Sequence, residues 1–383
     1  MPLWRPFTDI ITNVRAVIID DNIGAIASSY DRRISILSHD ASKLHTLRLP
    51  EPIELDSLVT LPSTMRDIRR IRHIFVGGAR KGGVIYSLST SILQIINEEK
   101  ISQQSFGGIT FIKAFNIGEI EIITAGAPEA FWMAFYKDGK IVEKFKINCE
   151  GSPIEATLRP EHTTILFALA EMHSKKISIY LLNNSTSKKN VEIKHQFRIK
   201  ENPAFIRFIS LKDNTEGPYL LIGDRSGRIS LRKLNGEKVW SQFLGEPLAW
   251  RRVLIEDIND DGEIEIIVGC QTGVEDLSKK SLSPLFILNW NSEILSKATV
   301  KGWIKDFRII DQDDKKLLLV AAGKRIYLFA LGDNLLKEER VIKFEKAIWS
   351  IDLLEVNEAL YLILGFADGE IGFARIEEKN VII

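Results

Sequence analysis

One pattern returns along this chain about every 45 residues, the length of a propeller blade: a strand, a turn, a strongly apolar strand ending in Gly or Ala, a second turn and another strand. The clearest copy runs through Leu248-Ala249-Trp250-Arg251-Arg252-Val253-Leu254-Ile255, Glu263-Ile264-Glu265-Ile266-Ile267-Val268-Gly269 and Leu285-Phe286-Ile287-Leu288-Asn289-Trp290. Upstream, Tyr219 to Asp224 pairs with Arg228 to Leu231 across Arg225-Ser226-Gly227. Near the end, Leu360 to Gly365 pairs with Ile371 to Ala374 across Ala367-Asp368-Gly369-Glu370, and Asp-Gly between alternating runs is a strong hairpin signal. No stretch shows sustained helical spacing, so the chain reads as nearly all strand.

Units open near Asn13, Asp56, Gly108, Pro153, Pro203, Leu248, Trp303 and Ile348. That arrangement implies an all-β fold over 1–383: a single β-propeller of eight four-stranded blades. Seven blades with an irregular insert is the alternative, because the second and fourth copies are the weakest. The last unit has little chain left for an outer strand, so the segment Leu3 to Ile11 is expected to complete it and close the ring. Blades packed face to face need central strands that are apolar on both sides, which accounts for the runs Ile264 to Val268 and Leu317 to Val320.

Composition narrows the functional classes. Of the 383 residues, 45% are apolar and 27% charged, enough to build a large core. Lys plus Arg equals Asp plus Glu at 51 each, so the whole molecule exerts no net pull on nucleic acid or an anionic membrane. Cys149 and Cys270 are too few to staple a fold of this size. Met1 to Pro6 lacks a signal-peptide layout and no run is long enough for a membrane helix, so a cytoplasmic protein that does not insert into membranes is expected. The six histidines, His39, His45, His73, His162, His173 and His195, show no close pairing of the zinc-site kind. Neither a phosphate-cradling loop nor a hydrolase nucleophile motif is present.

One loop carries ligand chemistry. Asp257-Ile258-Asn259-Asp260-Asp261-Gly262-Glu263-Ile264-Glu265, followed by Ile266-Ile267-Val268-Gly269, resembles the FG-GAP repeats of integrin-α-type propellers. Calcium prefers many hard oxygen ligands, and oxygens at alternate positions of a tight loop can converge on one ion. The resemblance implies side-chain ligands from Asp257, Asn259, Asp261 and Glu265, the backbone carbonyl of Glu263, and a structural Ca²⁺. Residues 118 to 123 repeat residues 262 to 267 identically, yet Lys113, Phe115 and Ile117 stand where oxygen ligands belong, so that copy has lost the ion. The seventh unit has Asp311, Asp313 and Asp314 but no Gly, and is degenerate too. A solvated acidic turn is the plainer alternative for 257–265.

A looser likeness is to WD40-like and quinoprotein (PQQ-like) propellers. Leu231 to Trp240 is similar to a quinoprotein blade ending in which the Trp docks on the neighbouring blade, with Lys137-Asp138-Gly139-Lys140 a partial echo. A single copy argues against a quinoprotein dehydrogenase, and Trp240 is expected to serve packing.

Four units place an aromatic residue two before a basic one near the start of the first strand: Phe111 and Lys113, Phe205 and Arg207, Trp250 and Arg252, Trp303 and Lys305; Trp349 continues the aromatic series. Residues two apart on a strand share a face. These pairs are therefore expected on equivalent faces, giving a cationic, aromatic-rimmed mouth that captures an acidic or phosphorylated group or a nucleic-acid strand. Inter-blade packing is the alternative use. A second basic group, Arg66, Arg69, Arg70, Arg72, Arg80 and Lys81, is either a solvated loop or a docking patch, and Asn183 to Asn190 forms a polar rim loop. The expected function is a non-catalytic scaffold for protein partners within a larger intracellular complex. A nucleic-acid-associated protein and a channel-mouth lyase or hydrolase are the alternatives.

Overall fold

The computed structural model describes the whole chain apart from residues 1–2, 5, 41–43, 81, 138–139, 162–163, 184–189, 211–216, 272–280, 313–314, 333–334, 358, 378–379 and 383. Among the described residues there is no helix, hence none able to cross a membrane. Every strand belongs to one of eight antiparallel sheets, the blades of a β-propeller.

Blade 1 is Ile11–Ile19, Asn22–Ser29, Arg33–Ser38 and Leu44–Arg48; blade 2 is Ile53–Leu61, His73–Gly78, Val84–Ser89 and Gln94–Lys100. Blade 3 comprises Phe111–Ile117, Ile120–Ala127, Ala130–Lys137 and Lys140–Asn148, and blade 4 Ser152–Glu161, Thr164–Met172, Lys176–Asn183 and Asn190–Arg198. Blade 5 follows with Pro203–Ile209, Tyr219–Asp224, Arg228–Arg232 and Lys238–Phe243, and blade 6 with Leu248–Glu256, Glu265–Cys270, Leu282–Asn289 and Ile294–Lys301. Blade 7 has Ile304–Gln312, Lys315–Ala322, Arg325–Leu331 and Lys337–Lys343; blade 8 has Ile348–Val356, Ala359–Phe366 and Ile371–Glu377 plus both chain ends. The second and fourth copies, weakest in sequence, form complete sheets, so the count is eight rather than seven with an insert.

Blade 8 is completed differently from expectation. Among the described residues of the N-terminal segment, Leu3 and Trp4 join it, pairing with Gly372 and Ile371. Ile11 already begins blade 1, and the far half of the third strand is covered by the C-terminal Asn380–Ile382 against Arg375–Glu377. Two short edge strands thus share one ladder.

Burial grades outward along each blade. Tyr219–Asp224 is buried at every residue and Ala130–Lys137 at all but its last, whereas the outer Lys140–Asn148 is exposed or half-buried throughout. The middle strands are covered on both faces, which is why their sequences do not alternate. In blades 2 to 7 the outer strand also carries one extra residue at the same place: Ile96, Val142, Lys194, Val239, Leu295 and Glu339. Such bulges break the regular ladder at the edge another chain would otherwise extend.

The blades fall into two compact units. The first, Met1–Pro153 with Lys346–Ile383, holds blades 8, 1, 2 and 3. Here the two ends of the chain meet: Phe7, Ile11, Val14, Ala16, Ile363 and Phe373 share one buried cluster. The second unit, Ile154–Glu345, holds blades 4 to 7, whose facing surfaces form successive apolar clusters.

Candidate functional site

The start of each first strand sets the geometry of the candidate mouth. That strand bonds its blade on one edge only, so amides on the other edge need partners. Side chains from the preceding blade supply them in the cases described. In the first unit Val14 N donates to Ser350 Oγ at 3.0 Å, Ala16 N to Asp352 Oδ2 at 2.8 Å, and Ser57 N to Asn13 Oδ1 at 3.0 Å. In the second unit Ile206 N donates to Glu155 Oε2 at 2.9 Å. These stitching residues were not singled out in the sequence, because their partners lie tens to hundreds of residues away.

Bulges fix which residues are equivalent. One extra residue interrupts the pairing of the first two strands between Ile11 and Asn13, Pro203 and Phe205, Ile304 and Asp306, and Ile348 and Ser350. Counted from the bulge, Arg207 corresponds to Arg15, Arg308 and Asp352. Phe111 and Phe205 do match, each pairing with a glycine, Gly126 and Gly223. A Cβ at Gly223 would lie 2.3 Å from the Phe205 ring, and one at Gly126 2.6 Å from that of Phe111. Both rings have no exposed surface. This corrects the expectation for Phe111 and Phe205: they are packing groups and cannot touch a partner. It also corrects the equivalence of the four pairs, since Lys305 and Trp349 are themselves bulge residues and Arg308 fills the place of Arg207 in blade 7.

The basic members have separate fates. Arg207 forms an ion pair with the fully buried Glu155, and its Nη1 also donates to the Ile206 carbonyl at 2.8 Å. Lys113 is half-buried in the first unit. The remaining members sit in the second unit, in blades 6 and 7. Blade 6 has a wide bulge: Leu248 pairs with Cys270 and Val253 with Val268, leaving Ala249, Trp250, Arg251 and Arg252 opposite Gly269 alone. Arg251 takes a left-handed conformation, φ 60°. Trp250 lies under the guanidinium of Arg225 from blade 5, 5.8 Å from Cζ to the ring centre, while Arg225 Nη1 donates to the Leu248 carbonyl at 2.6 Å. Arg252 Nε donates to the Lys305 carbonyl in blade 7, and Lys305 Nζ stands 5.3 Å above its own neighbour's ring, Trp303. Blade 2 repeats the wide bulge between Ile53 and Leu58, with Asp56 left-handed at φ 50°.

In the acidic loop, Gly262 N donates to Asp257 Oδ2 at 2.8 Å, Glu263 N to Asp261 Oδ1 at 2.7 Å, and Ile258 N to Glu265 Oε2 at 2.9 Å. Asn259 Nδ2 donates to Asp261 Oδ2 at 2.8 Å. Asp257 Oδ1 is buried without a hydrogen bond. Burial holds the Glu265 carboxyl above its usual range; the Ile258 amide opposes this, and the charges of Asp261, Asp257 and Glu263 add to it. Lys316 of blade 7 caps the loop from outside, donating to the Asp257 carbonyl at 2.7 Å and to Asp260 Oδ1 at 2.6 Å. The donor types and the orphaned oxygen suit a hard cation. Among the described residues, however, no three His, Cys, Asp or Glu side chains already stand together as a metal cluster. The identical peptide in blade 3 behaves otherwise: Ile117 pairs directly with Ile120 across a two-residue turn, and Glu121 accepts from Ser63 N. Asp313 and Asp314 lie outside the described residues.

Of the second basic group, Arg66 reaches Asp352, Arg69 pairs with Asp67 and Asp21, and Arg70, Arg72 and Arg80 are exposed. Lys81, His162, the Asp138-Gly139 echo and residues 184–189 of the polar loop lie outside the described residues. Trp240 packs against the core shared by blades 5 and 6.

No protein-family model matches the chain, and no curated protein matches it either. Solved structures share its fold. Saccharomyces cerevisiae Sqt1 superposes with a TM-score of 0.69 at 10% identity, covering 98% of each chain. Dihydro-heme d1 dehydrogenase NirN, in complex with DHE, gives 0.63 at 13% identity over 100% of this chain and 75% of that one. BBS1N, in complex with ARL6DN, gives 0.55 at 12% identity over 88% and 98%. At such identities the likeness is one of fold alone: this chain is an eight-bladed β-propeller.

Proposed function

We propose that the chain is a non-catalytic platform that holds a protein partner within a larger intracellular assembly. The observation that carries this reading is how the polar side chains at the starts of the first strands, and Arg66 on the loop after one of them, are spent. Glu155 and Arg207, Asp352 and Arg66, Ser350, and Asn13 all bond from blade to blade. They rigidify the scaffold instead of converging as an acid and a base around a reacting atom. Among similar propellers, BBS1N binds a protein, ARL6DN, while NirN is a dehydrogenase, so fold alone does not choose between the two classes. Two free thiols, one of them buried, agree with a reducing compartment.

The second element of the proposal is a structural Ca²⁺ held in blade 6 by Asp257, Asn259, Asp261 and Glu265 with the Glu263 carbonyl. Its support is the ligand spacing and the orphaned Asp257 oxygen. The ion's part is to stiffen the loop between the first two strands.

Affinity isolation of the tagged chain from its native cells tests the platform reading. A partner recovered in fixed stoichiometry through washes at raised salt is the expected result. Recovery of the chain alone, together with turnover of a small molecule, would overturn it.

A further inference from the structure

We propose that Lys316 of blade 7 is the resident cation of the blade 6 loop: its ammonium holds the loop in the metal-free chain and opposes the entry of Ca²⁺. The loop thus trades a tethered single charge against a free double one. The inference rests on the structural Ca²⁺ of the proposed function and adds to it the residue that regulates the ion.

The loop is acidic by sequence, with carboxylates at Glu256, Asp257, Asp260, Asp261, Glu263 and Glu265. Like charges crowded into a tight turn repel one another, so the fold must offset them. The amides of Gly262, Glu263 and Ile258 do part of this by donating to Asp257, Asp261 and Glu265. Lys316 adds a full positive charge from the next blade. Its Nζ donates to the Asp257 carbonyl at 2.7 Å and to Asp260 Oδ1 at 2.6 Å, two hard oxygens of the kind Ca²⁺ takes. The charges of Asp311, its cross-strand partner, and of Glu256 also act on this ammonium. The loop cannot swing away from it, because Ile258, 1% exposed, is packed into the core of blades 6 and 7 with Phe307, Leu318 and Val320.

The two oxygens that Lys316 uses are not among the implied ligands. Those are the side chains of Asp257, Asn259, Asp261 and Glu265 and the carbonyl of Glu263, and Asp257 Oδ1 is still without a hydrogen bond. Lys316 therefore leaves the ion's place open and acts on it through charge. The Asp260 side chain is 77% exposed and that of Lys316 18%. An ion pair with one member in water adds little stability by itself. An ammonium bonded to the residue that supplies a ligand, however, repels a divalent ion at close range, where partial burial weakens screening. Charge accordingly decides the sign: removing Lys316 tightens the hold on the ion.

The test measures calcium binding to the full chain by calorimetry after treatment with a chelator, with the metal-free melting temperature alongside. Lys316→Met, which keeps the apolar stem, should bind calcium at least about threefold more tightly at low ionic strength, with the gain shrinking at about 1 M salt. It should also melt lower without metal. Asp260→Asn breaks the same ion pair but leaves the ammonium, and should bind calcium more weakly than the parent; Lys316→Arg, which keeps the charge, should match the parent. A merely structural clasp would move K316M and D260N the same way, since both lose one bond, and that result would overturn the proposal while leaving the ion in place. Equal affinity in the parent and in folded K316M would overturn it as well. Calcium binding by K316M alone would support the resident cation and remove the ion from the parent chain. Absence of binding in every chain would sink the structural Ca²⁺ itself, and this proposal with it.

Discussion

Arg66, on the loop that joins the first two strands of blade 2, ends 2.5 Å from the carboxylate of Asp352 in blade 8 and so spans blade 1. The same carboxylate oxygen accepts the Ala16 amide, and Arg66 Nη1 donates to the Ala16 carbonyl at 3.1 Å. Arg15 lies beside them, its guanidinium lowered to about 10 by burial and then by the charge of Arg66, with Asp352 and Glu121 pulling the other way. One acid therefore anchors two blades where the chain ends meet. Asp352→Ala leaves the Ala16 amide and a guanidinium short of a partner, and should lower unfolding stability by about 2 kcal/mol in urea titration. Asp352→Asn, which keeps an acceptor, should lose less.

Glu155 plays the same part between blades 4 and 5. It has no exposed surface and serves both the Ile206 amide and Arg207. Glu155→Ala should cost about 3 kcal/mol of stability, because a buried partner is removed from an ion pair. Arg207→Glu should likewise destabilise the fold, because it sets a second carboxylate beside the buried Glu155.

Phe7 is the apolar counterpart of that closure. It is 1% exposed in the cluster shared by blades 8 and 1. Its carbonyl would lie 2.4 Å from a Cβ at Gly369, whose φ of 87° suits glycine, so chain and turn are in close contact. Phe7→Ala should destabilise by about 3 kcal/mol, measured by denaturant midpoint.

Cys270 is buried, and desolvation, reinforced by Glu246 and opposed by Lys297, raises its thiol to about 12. At mildly alkaline pH it stays protonated and inaccessible, so iodoacetamide should spare it in the native chain and label it in denaturant. Native labelling confined to Cys149 is the expected mass-spectrometric result.

Calcium should raise the melting temperature of the full chain, and EDTA should reverse the shift. Asp257→Asn should remove most of the response. Magnesium, which demands tighter octahedral geometry, should give less. An identical melting curve with and without calcium would reduce the loop to a capped acidic turn.

Much of the fold was legible because its signals are local. Gly227 at φ 94° and Gly369 at φ 87° make the hairpin turns read from Ser226-Gly227 and Asp368-Gly369, and each of the eight blades opens within three residues of its expected start. Register at the site was not legible. A single bulge residue reverses the face of everything after it, so Trp303 and Lys305 resemble Phe205 and Arg207 in sequence but occupy different places in the blade. Burial of Phe205 against Gly223 depends on a strand partner about one hairpin away, and the use of Arg66 by Asp352 on a contact across 286 residues. The paired carboxylate caps were invisible for the same reason.

The most direct measure of the account is the native mass of the protein taken from its own cells by size-exclusion chromatography with light scattering. The platform reading predicts a complex heavier than the chain, containing a second polypeptide. A monomer of the chain's own mass that carries out a chemical turnover would contradict it.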